Sequence, residues 1–410
     1  MSIDDLKLWF LQLDQLLEQQ QAYWRLQPMQ QNDLPFADHS LNELLLSFSL
    51  EQCDAIDQSP ALQQQYFAGF FPLLFAALPK LQHFAPQGLE LPFWLSTDIG
   101  GRKWQQISLF AEAVGKPGSK VLEWCAGKGH LGKVLCFAYQ NKVTSLEWQA
   151  ELCQQGQLSA NKLNLDQFFI EHNVLEAQSQ PLLASVDQLV ALHACGDLHR
   201  VALTAGVAAR CPELHLLPCC YHLQQDECYQ PLSEQALASR LRLSRAELKL
   251  AVQGQNTAGE RVRRLRHTEV LWRRAYQLWL SEQSGSTLYR ALPSTAKHWF
   301  SGAFADFASW AAAQHQLEWP AGQDGHRYLV QAAQLLLLQR RIELVQHLFR
   351  RPLELWLVLD RALYLAEQGY QVQLQQLCQA SVTPRNLLLS AYSYTDEQSS
   401  SVRVTGAVPR

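Results

Sequence analysis

Residues 119–147 read SKVLEWCAGKGHLGKVLCFAYQNKVTSLE, and this stretch decides the fold of the chain. An apolar run ends at Glu123, and a glycine turn follows in Ala126–Gly129. Apolar residues then recur at helical spacing from Leu131 to Tyr139. A second short apolar run, Val143–Glu147, closes with an acid. The order of strand, glycine loop, helix, strand and acid is typical of the first half of a nucleoside-binding α/β sheet.

The glycine loop and the acid together predict a nucleoside site. A glycine turn here lets the backbone approach a ligand, and the helix N-terminus behind it favours polar or anionic groups. Glu147 follows the loop by about 20 residues, where a carboxylate accepts hydrogen bonds from two ribose hydroxyls. The loop lacks the first glycine and the last spacing of G-x-G-x-x-G, and the chain lacks G-x-x-x-x-G-K-[ST] at this point. A nucleoside without a pyrophosphate, S-adenosylmethionine, suits this loop better, and a glycine turn without any ligand is the alternative.

Length and composition indicate a globular protein of two or three domains. The 410 residues are 48% hydrophobic and 18% charged, and the net charge is −4. Any contact with nucleic acid must therefore come from a local patch. Met1–Leu11 contains charged residues and lacks the pattern of a signal peptide, and no long uncharged apolar run predicts a membrane span. Ten cysteines without a secretory segment are typical of reduced thiols, so we expect a cytoplasmic protein.

Strand and helix patterns alternate after Val121, which predicts a doubly wound, Rossmann-like α/β sheet with helices on both faces. The predicted strands are 119–124, 143–147, 167–171, 187–193 and 213–219. The helical patterns between them cover 130–139, 149–163 and 197–210. Ligands on such a sheet lie beyond the carboxyl ends of the strands. The candidate site residues are therefore those that end or follow a strand.

The two flanks of this core carry mostly helical patterns. We predict four regions, which are a helical N-terminal region (1–95), the cofactor-binding core (96–235), a mostly helical C-terminal region with a final strand at 387–394 (236–395) and a disordered tail (396–410). Residues 240–274 are locally basic, with ten arginines and lysines against three glutamates, and 254–259 interrupt them as a flexible loop. This basic stretch, with Trp272 and Tyr276 nearby, is the candidate surface for phosphate, and a solvated helix face is the alternative.

Two strand ends gather histidine and cysteine. Leu192–Asp197 reads LHACGD at the end of the fourth strand, and Pro218–His222 reads PCCYH at the end of the fifth. These side chains are of the type that binds zinc, but the chain has no C-x2-C pair. Cys219 and Cys220 are adjacent, and neighbours on an extended strand point to opposite faces. We therefore predict buried thiols and no metal, with a metal-dependent hydrolase as an alternative.

Several motifs together resemble a known family of class I S-adenosylmethionine-dependent methyltransferases. The carrying residues are Glu123–Gly132 (EWCAGKGHLG), Leu192–Asp197 and Pro218–His222 in this order. The family includes eukaryotic methyltransferase-like proteins and the methyltransferase half of the glutathione S-transferase C-terminal-domain-containing protein, and it is distantly similar to tRNA acceptor-stem ribose 2′-O-methyltransferases. Further matches to methyltransferase-like members are Gln230–Ser233, Leu359–Leu365 and Thr383–Asn386, so that the resemblance covers roughly 97–394. Two positions depart from the pattern: Cys125 stands where many class I enzymes have glycine, and Gln106 stands where an acid is expected in some members of the family.

The resemblance implies S-adenosylmethionine as cofactor and methyl transfer as reaction. We expect Glu147 to bind the ribose, Gly127 and Gly129 to lie beside the methionine half, and His172 or Asn173 to lie near the adenine. The full set expected to bind the cofactor is Lys103, Glu123, Cys125, Ala126, Gly127, Gly129, Glu147, Trp148, His172, Asn173 and His193. The catalytic candidates are His193, Asp197 and Tyr221. His193 or Asp197 is the expected base, and a helix cap is the alternative role of Asp197.

The acceptor is the part of the function that the motifs leave open. The basic stretch favours RNA, either tRNA or rRNA. A protein acceptor, a small-molecule acceptor and a non-catalytic protein that binds the cofactor or RNA are the alternatives.

Overall fold

A computed structural model describes residues 1–176, 179–253, 260–286 and 288–393. Packing groups the chain into two units. The sheet unit comprises Met1–Gln21, Phe71–Gln253 and Phe349–Arg410, and the helical unit comprises Ala22–Phe70 and Gly254–Leu348. This grouping differs from the linear division predicted from the sequence, because both ends of the chain return to the sheet. The predicted loop at 254–259 and the predicted tail from 396 lie outside the described residues.

The strands all belong to the sheet unit. They are β1 (Gln82–His83), β2 (Lys120–Trp124), β3 (Lys142–Glu147), β4 (Gln167–Glu171), β5 (Gln188–Cys195), β6 (Glu213–Cys219), β7 (Tyr370–Gln376) and β8 (Leu387–Ser393). The helices of the sheet unit are α1 (Ile3–Gln19), α6 (Pro72–Ala76), α7 (Gly101–Val114), α8 (His130–Tyr139), α9 (Ala150–Lys162), α10 (Gln180–Leu183), α11 (Asp197–Ala208), α12 (Glu234–Ala238), α13 (Arg245–Leu250) and α17 (Arg350–Glu367). Those of the helical unit are α2 (Gln21–Trp24, which begins at the unit boundary), α3 (His39–Ser47), α4 (Leu50–Gln58), α5 (Pro60–Phe67), α14 (Glu260–Ser284), α15 (Phe304–Gln314) and α16 (His326–His347).

The predicted doubly wound α/β sheet is confirmed. The described strands form one sheet in the order β1-β7-β8-β6-β5-β2-β3-β4. β2 pairs in parallel with both β3 and β5, whereas β8 runs antiparallel to β6 and β7. The chain proceeds outward from β2 through β3 to β4 and then crosses back to β5. The order therefore reverses between β2 and β5, and ligands of such sheets bind beyond the carboxyl ends at this point.

The strands predicted in the core are observed with bounds that differ by at most two residues, but two described strands were missed, the two-residue β1 and the longer β7. β7 alternates buried Tyr370, Val372 and Leu374 with glutamines on its other face. This period of two is typical of a half-buried strand and was the signal that could have found it. β8 confirms the predicted final strand as far as Ser393, and Tyr394 lies outside the described residues.

The motifs Gln230–Ser233 and Leu359–Leu365 meet in the interior of the sheet unit. Asp360 is fully buried in α17 and accepts hydrogen bonds from the backbone N–H groups of Leu232 and Ser233 and from the Ser233 hydroxyl. Arg361, also buried, donates to Nε2 of His199 at 2.7 Å. Buried charges are stable only when they are paired or hydrogen-bonded in this way. The motifs thus brace α11, which follows the fourth strand of the α/β core.

The helical unit has its own apolar core, which α14, α15 and α16 share. Trp272, Tyr276 and Trp279 of α14 are buried there against phenylalanines of α15. The rings of Trp272 and Tyr276 are therefore not available to stack on nucleotide bases, contrary to what their place in the basic stretch suggested. Among the described helices of both units, none is long and apolar enough to cross a membrane.

Candidate active site

The glycine loop after β2 makes a tight turn that the sequence requires. Cys125, Gly127 and Gly129 all have positive φ, at 56°, 59° and 66°. A Cβ atom on Gly129 would lie 2.3 Å from the ring of Phe169, so that only glycine fits there. A Cβ atom on Gly127 would meet no atom within 4 Å, so this turn presents bare backbone to open space. The thiol-bearing Cys125 adopts the left-handed conformation that explains why glycine is common at its position.

Glu147, the last residue of β3, is held in place by the glycine loop. Its side chain is only 6% exposed. One carboxylate oxygen accepts the N–H of Gly127 at 2.9 Å, and the other accepts the N–H of Gln149 at 3.1 Å. Because each carboxylate oxygen has two lone pairs, both keep acceptor capacity for further donors. This geometry suits a pair of neighbouring hydroxyl groups.

Glu147 lines a cleft of about 780 Å³ at the carboxyl ends of the central strands. The cleft lies where the strand order reverses, beyond β2, β3 and β5. Its lining is largely apolar with a few polar groups, as is usual for small-molecule sites. The residues that line it are Cys125, Gly127, Leu146, Glu147, Trp148, Gln149, Leu152, His172, Asn173, Val174, Leu175, Cys195, Asp197, Leu198, Leu223, Gln224 and Gln225.

The predicted adenine side lies at one end of this cleft. Trp148 is 63% exposed directly after Glu147 and offers a flat apolar face. The His172 ring makes a hydrogen bond of 2.8 Å with the Ser179 hydroxyl, which fixes its orientation. Asn173 uses its side-chain oxygen to accept the N–H of Leu175 at 3.2 Å. These groups leave an apolar slot with polar edges, which is the chemistry of a purine site.

Glu123 does not share the surroundings of Glu147, although both were predicted to bind the cofactor. It is 3% exposed and lies beneath the glycine loop. Its carboxyl group accepts hydrogen bonds from Ser145 at 2.6 Å and Gln167 at 3.4 Å. Burial raises the pKa of Glu123 to about 7. Glu123 therefore supports the glycine loop from inside the sheet. It was predicted to contact the cofactor directly, and its burial argues against that role.

Three other predicted residues, Ala126, Gly129 and Lys103, lie in the glycine loop or in α7, outside the lining of the cleft. Ala126 donates its N–H to Leu146 at 2.8 Å and so ties the loop to β3. Gly129 begins α8 behind the loop. Lys103 lies exposed in the first turn of α7 and interacts electrostatically with His193. These positions are consistent with a cofactor whose methionine half lies near α7 and α8.

His193 is held in place by Gln106, one of the two positions that depart from the family pattern. Its Nε2 lies 2.5 Å from the side-chain oxygen of Gln106 in α7. An amide oxygen only accepts, so Nε2 carries the proton and Nδ1 is the basic nitrogen of the neutral ring. Burial lowers the pKa of His193, and Arg385 and Lys103 lower it further. His193 also has a φ of 61° beside the irregularity between Leu192 and Cys195 in β5.

Asp197 lines the cleft, but it does not cap its helix. Gly196 is the N-cap of α11, and a Cβ there would lie 1.6 Å from the carbonyl oxygen of Leu223. The Asp197 carboxylate instead accepts the N–H of Gln225 at 2.7 Å and lies 3.5 Å from Arg200. The capping alternative is therefore wrong. Asp197 holds the 223–225 segment, which the sequence did not identify, against the cleft.

Tyr221 lies in the interior, away from the cleft lining. It is 2% exposed, and Arg361 stacks over its ring at 5.1 Å. Burial raises its pKa well above the usual range. A hydroxyl that is enclosed in this way does not reach a substrate in the cleft. Tyr221 was predicted to be catalytic, but it lies outside the candidate active site.

The cysteines of the two strand ends come together, which contradicts the expectation that Cys219 and Cys220 point apart. The sulfurs of Cys195, Cys219 and Cys220 all lie within 4.8 Å of one another. Cys220 has a φ of 46°, so the strand has ended and its side chain turns back to the same side. Hydrogen bonds with Cys195 and Cys220 raise the pKa of Cys219, and those with Cys195 and Cys219 lower the pKa of Cys220.

His130, the first residue of α8, is a further candidate that the sequence did not single out. Its Nδ1 is buried and has no hydrogen-bond partner among the described residues. Burial lowers its pKa to about 4, and Lys133, Lys103 and Lys128 lower it further. A neutral ring with a free nitrogen beside the glycine loop is suited to bind a polar group of a ligand. The signal in the sequence was its place directly after the second loop glycine.

Comparison with known proteins agrees with this geometry. Residues 102–227 match a family model described as a methyltransferase domain, and they contain the loop, Glu147 and the cleft. Residues 102–227 are thus similar to methyltransferase domains. Three observations fit S-adenosylmethionine, the cofactor expected from the sequence: the two carboxylate oxygens of Glu147, the open space over Gly127, and the free Nδ1 of His130.

The sequence is also similar to curated proteins over this domain. It is 27% identical over 136 residues to the glutathione S-transferase C-terminal domain-containing protein of Mus musculus and 26% identical to that of Homo sapiens. In both cases the match covers 32% of this chain and 21% of the relative. The chain thus spans about a fifth of the length of the curated relatives that it matches.

Solved structures that are similar to part of this chain share little sequence with it. A SAM-dependent methyltransferase from Aquifex aeolicus matches with a TM-score of 0.26 and 18% identity over 31% of this chain and 72% of its own. The magnesium protoporphyrin IX methyltransferase from Synechocystis, with bound SAH, matches with a TM-score of 0.25 and 16% identity over 39% of this chain and 71% of its own.

Proposed function

We propose that the protein transfers the methyl group of S-adenosylmethionine to RNA. The observation that carries the methyl-transfer part is the cleft at the reversal of strand order, with Glu147 fixed at its wall by Gly127 and Gln149. The sulfonium of the cofactor supplies a methyl group that is already activated. The protein must therefore bind, orient and, for a hydroxyl acceptor, remove a proton.

Glu147 is the proposed anchor of the ribose. Its two oxygens are held 2.9 and 3.1 Å from backbone N–H groups and accept two more hydrogen bonds without moving. The exposed ring of Trp148 and the side chains of His172 and Asn173 complete the nucleoside end. Lys103 and His130 are the proposed contacts of the carboxylate and ammonium end of the cofactor.

His193 is the proposed base. Because Gln106 holds the proton on Nε2, Nδ1 is the nitrogen that we propose takes a proton from the acceptor, although His193 itself does not line the cleft. Its lowered pKa keeps the ring neutral at pH 7, which a base requires. Asp197 is proposed as a positioning residue, since its carboxylate already accepts the N–H of Gln225 and lies beside Arg200.

The RNA part of the proposal rests on one end of α14 in the helical unit. Arg261, Arg263, Arg264 and Arg266 are exposed, and none of them has an ion-pair partner among the residues that the structure describes. Other cations of the basic stretch are engaged: Arg273, for example, pairs with Glu269 at 2.9 Å. A cluster of free arginines on one helix end is a phosphate-binding pattern. The candidate surface is thus narrowed from 240–274 to 261–266.

Methylation of fractionated cell material tests the reaction. The purified full chain is incubated with S-adenosylmethionine carrying a labelled methyl group and with tRNA, rRNA, protein or small-molecule fractions. We expect label in an RNA fraction, and a loss of about 10²–10⁴ in single-turnover rate for His193→Ala. Label in the protein or small-molecule fraction alone would replace the RNA acceptor. No label in any fraction, together with measurable cofactor binding, would favour a non-catalytic binding protein.

RNA binding is tested separately with two matched double variants. Arg263→Gln/Arg266→Gln removes two charges from the proposed surface, and Arg290→Gln/Arg327→Gln removes two exposed charges elsewhere in the helical unit. Each phosphate contact releases counterions when it forms. We therefore expect the first variant to bind tRNA more weakly and to lower the slope of log K against log salt concentration by about two. The second variant should behave like wild type. Equal effects of both variants would show only a general charge effect.

We also propose a cytoplasmic location. All ten cysteines are free thiols in the structure, which supports a reducing compartment. Localisation of a tagged full chain by microscopy tests this directly.

A further inference from the structure

We propose that Cys195, Cys219 and Cys220 bind one zinc ion, with His222 as the fourth ligand. The three sulfurs lie within 4.8 Å of one another, at the ends of β5 and β6. No role in binding the cofactor or in methyl transfer accounts for three clustered thiols. The proposal does not depend on the acceptor or on turnover.

The backbone is built to bring these sulfurs together. Cys195 and Cys219 are directly paired in the parallel ladder between β5 and β6, and their sulfurs lie 3.0 Å apart. The register shifts between Leu192 and Cys195, which turns Cys195 toward its neighbour. Cys220 adopts a left-handed φ of 46°, a conformation that is strained for a non-glycine residue. Without that turn the sulfur of Cys220 would point to the opposite face.

The distances match what a tetrahedral zinc ion needs. Zinc–sulfur bonds are about 2.3 Å, so two ligating sulfurs are roughly 3.8 Å apart. In the observed cluster the sulfurs of Cys195 and Cys219 lie 3.0 Å apart, and every pair of sulfurs lies within 4.8 Å. Rotation about χ1 alone brings sulfurs across such differences. Soft thiolate ligands favour zinc over magnesium or calcium, which take oxygen ligands.

The nitrogens of His222 do not belong to the group of ligand atoms within 4.8 Å of one another. His222 interacts electrostatically with Cys220, and its ring must turn toward the sulfurs to supply the fourth ligand. Its Nδ1 is buried and lacks a hydrogen-bond partner among the described residues. It lies in the turn that Leu223 closes by donating its N–H to the carbonyl of Cys220. Three thiolates and one imidazole form a closed set of the kind found in structural zinc sites. Arg385 interacts electrostatically with Cys195 and Cys220 and offsets the surplus negative charge of such a set.

A disulfide between Cys195 and Cys219 is the rival explanation. A disulfide would use only two of the three sulfurs. It would not account for the left-handed conformation of Cys220 or for the unpaired Nδ1 of His222. All three cysteines are free thiols in the structure. The observations therefore favour a metal over a disulfide.

The wild-type protein tests the site without any mutation. The full chain is purified without chelators from zinc-supplemented cells, and its metal content is measured by plasma mass spectrometry. We expect one zinc per chain. Exchange for Co²⁺ should give the near-ultraviolet absorption of thiolate-to-cobalt charge transfer. Zinc-free protein that shows no such absorption with Co²⁺, or an intact mass lower by two hydrogens under non-reducing conditions, would overturn the proposal.

Variants then assign the ligands. Competition with a chromophoric chelator gives the zinc affinity of Cys195→Ser, Cys220→Ser and His222→Gln, and we expect each to fall at least tenfold. Cys211→Ser is the matched control, since it changes a buried thiol outside the cluster. Near-ultraviolet circular dichroism checks that each variant is folded. Loss of zinc from the control as well would refute the assignment to this cluster, and unchanged affinity in His222→Gln would remove His222 from the site.

Discussion

Two glutamates lie near the carboxyl ends of neighbouring strands of the same sheet, and only one of them lines the cleft. Glu123 in β2 is paired in register with Ser145 of β3 and is hydrogen-bonded to it. Glu147 lies two residues beyond Ser145 on the same face of β3, which moves it about 6–7 Å further toward the carboxyl edge. This small displacement separates a buried carboxyl group from one that meets ligand.

The surroundings of the two carboxyl groups differ accordingly. Glu123 is enclosed by Ser145, Gln167 and the loop above it, and burial raises its pKa to about 7. Glu147 accepts two backbone N–H groups and keeps its other lone pairs toward the cleft. The comparison shows that two glutamates near strand ends have different surroundings. Glu123 supports the glycine loop from below, whereas Glu147 presents its carboxylate to the cleft. Four experiments separate the two roles.

The largest loss of stability is expected when alanine replaces one of the two loop glycines. Gly129 lies close to Gln167, the partner of Glu123, whereas Gly127 donates its N–H to Glu147. Gly129→Ala places a Cβ 2.3 Å from Phe169 and 2.4 Å from Gln167, which is itself hydrogen-bonded to Glu123. Strain of the positive φ and overpacking together should lower the free energy of unfolding by roughly 2–5 kcal/mol. Gly127→Ala meets open space and should lose only about 1–2 kcal/mol. Urea unfolding measures both, and equal losses would contradict the distinction.

The second test uses the pH dependence of Glu123. Its pKa is raised to about 7 in the folded state, so its protonated form is favoured there. Its contribution to stability is full below about pH 4.5 and is lost as pH rises through 7, by at most about 3 kcal/mol. Glu123→Gln removes this loss. We expect the stability of the variant relative to wild type to increase from pH 5 to pH 8, measured by urea unfolding.

An exposed glutamate provides the control for that measurement. Glu176→Gln changes an exposed side chain of the same type. Its stability relative to wild type should be the same at both pH values. A Glu123→Gln profile parallel to that of wild type would show that Glu123 does not titrate in this range.

The third test concerns Glu147 and the cofactor. Charged hydrogen bonds to two ribose hydroxyls contribute about 1.5–3 kcal/mol, so Glu147→Ala should weaken S-adenosylmethionine binding about tenfold or more. Glu123→Gln should leave the affinity within about twofold of wild type. Isothermal calorimetry measures both values. Unchanged affinity in Glu147→Ala would remove the ribose assignment, and an equal loss in both variants would erase the contrast between the glutamates.

The smallest effect is expected at Asp197, the other carboxylate that lines the cleft beside Glu147. Asp197→Asn weakens the hydrogen bond to Gln225 and the contact with Arg200, at a cost of about 1 kcal/mol. We expect faster hydrogen exchange in residues 223–225 and little change in the global melting temperature. A rate loss of 10²-fold with normal exchange would instead make Asp197 the base.

Much of the sheet could be predicted because its signals are local. The pattern of α8 gave the bounds His130–Tyr139 as they are observed, since apolar spacing and the preceding glycine define both ends. The last acid of β3 was identified for the same reason. β7 was missed because glutamines fill its outer face, and Tyr221 was misplaced because a residue after a strand was assumed to face the cleft.

By itself, the sequence determined the α/β alternation, the glycine loop and the position of Glu147, because these depend on periodicity and on residues close together in the chain. Only the tertiary structure decided which of two glutamates is buried, that Gln106 orients His193, and that three thiols form one cluster. Those outcomes depend on strand register and on single left-handed residues such as Cys220. Register is set by contacts between distant segments, which no local pattern contains.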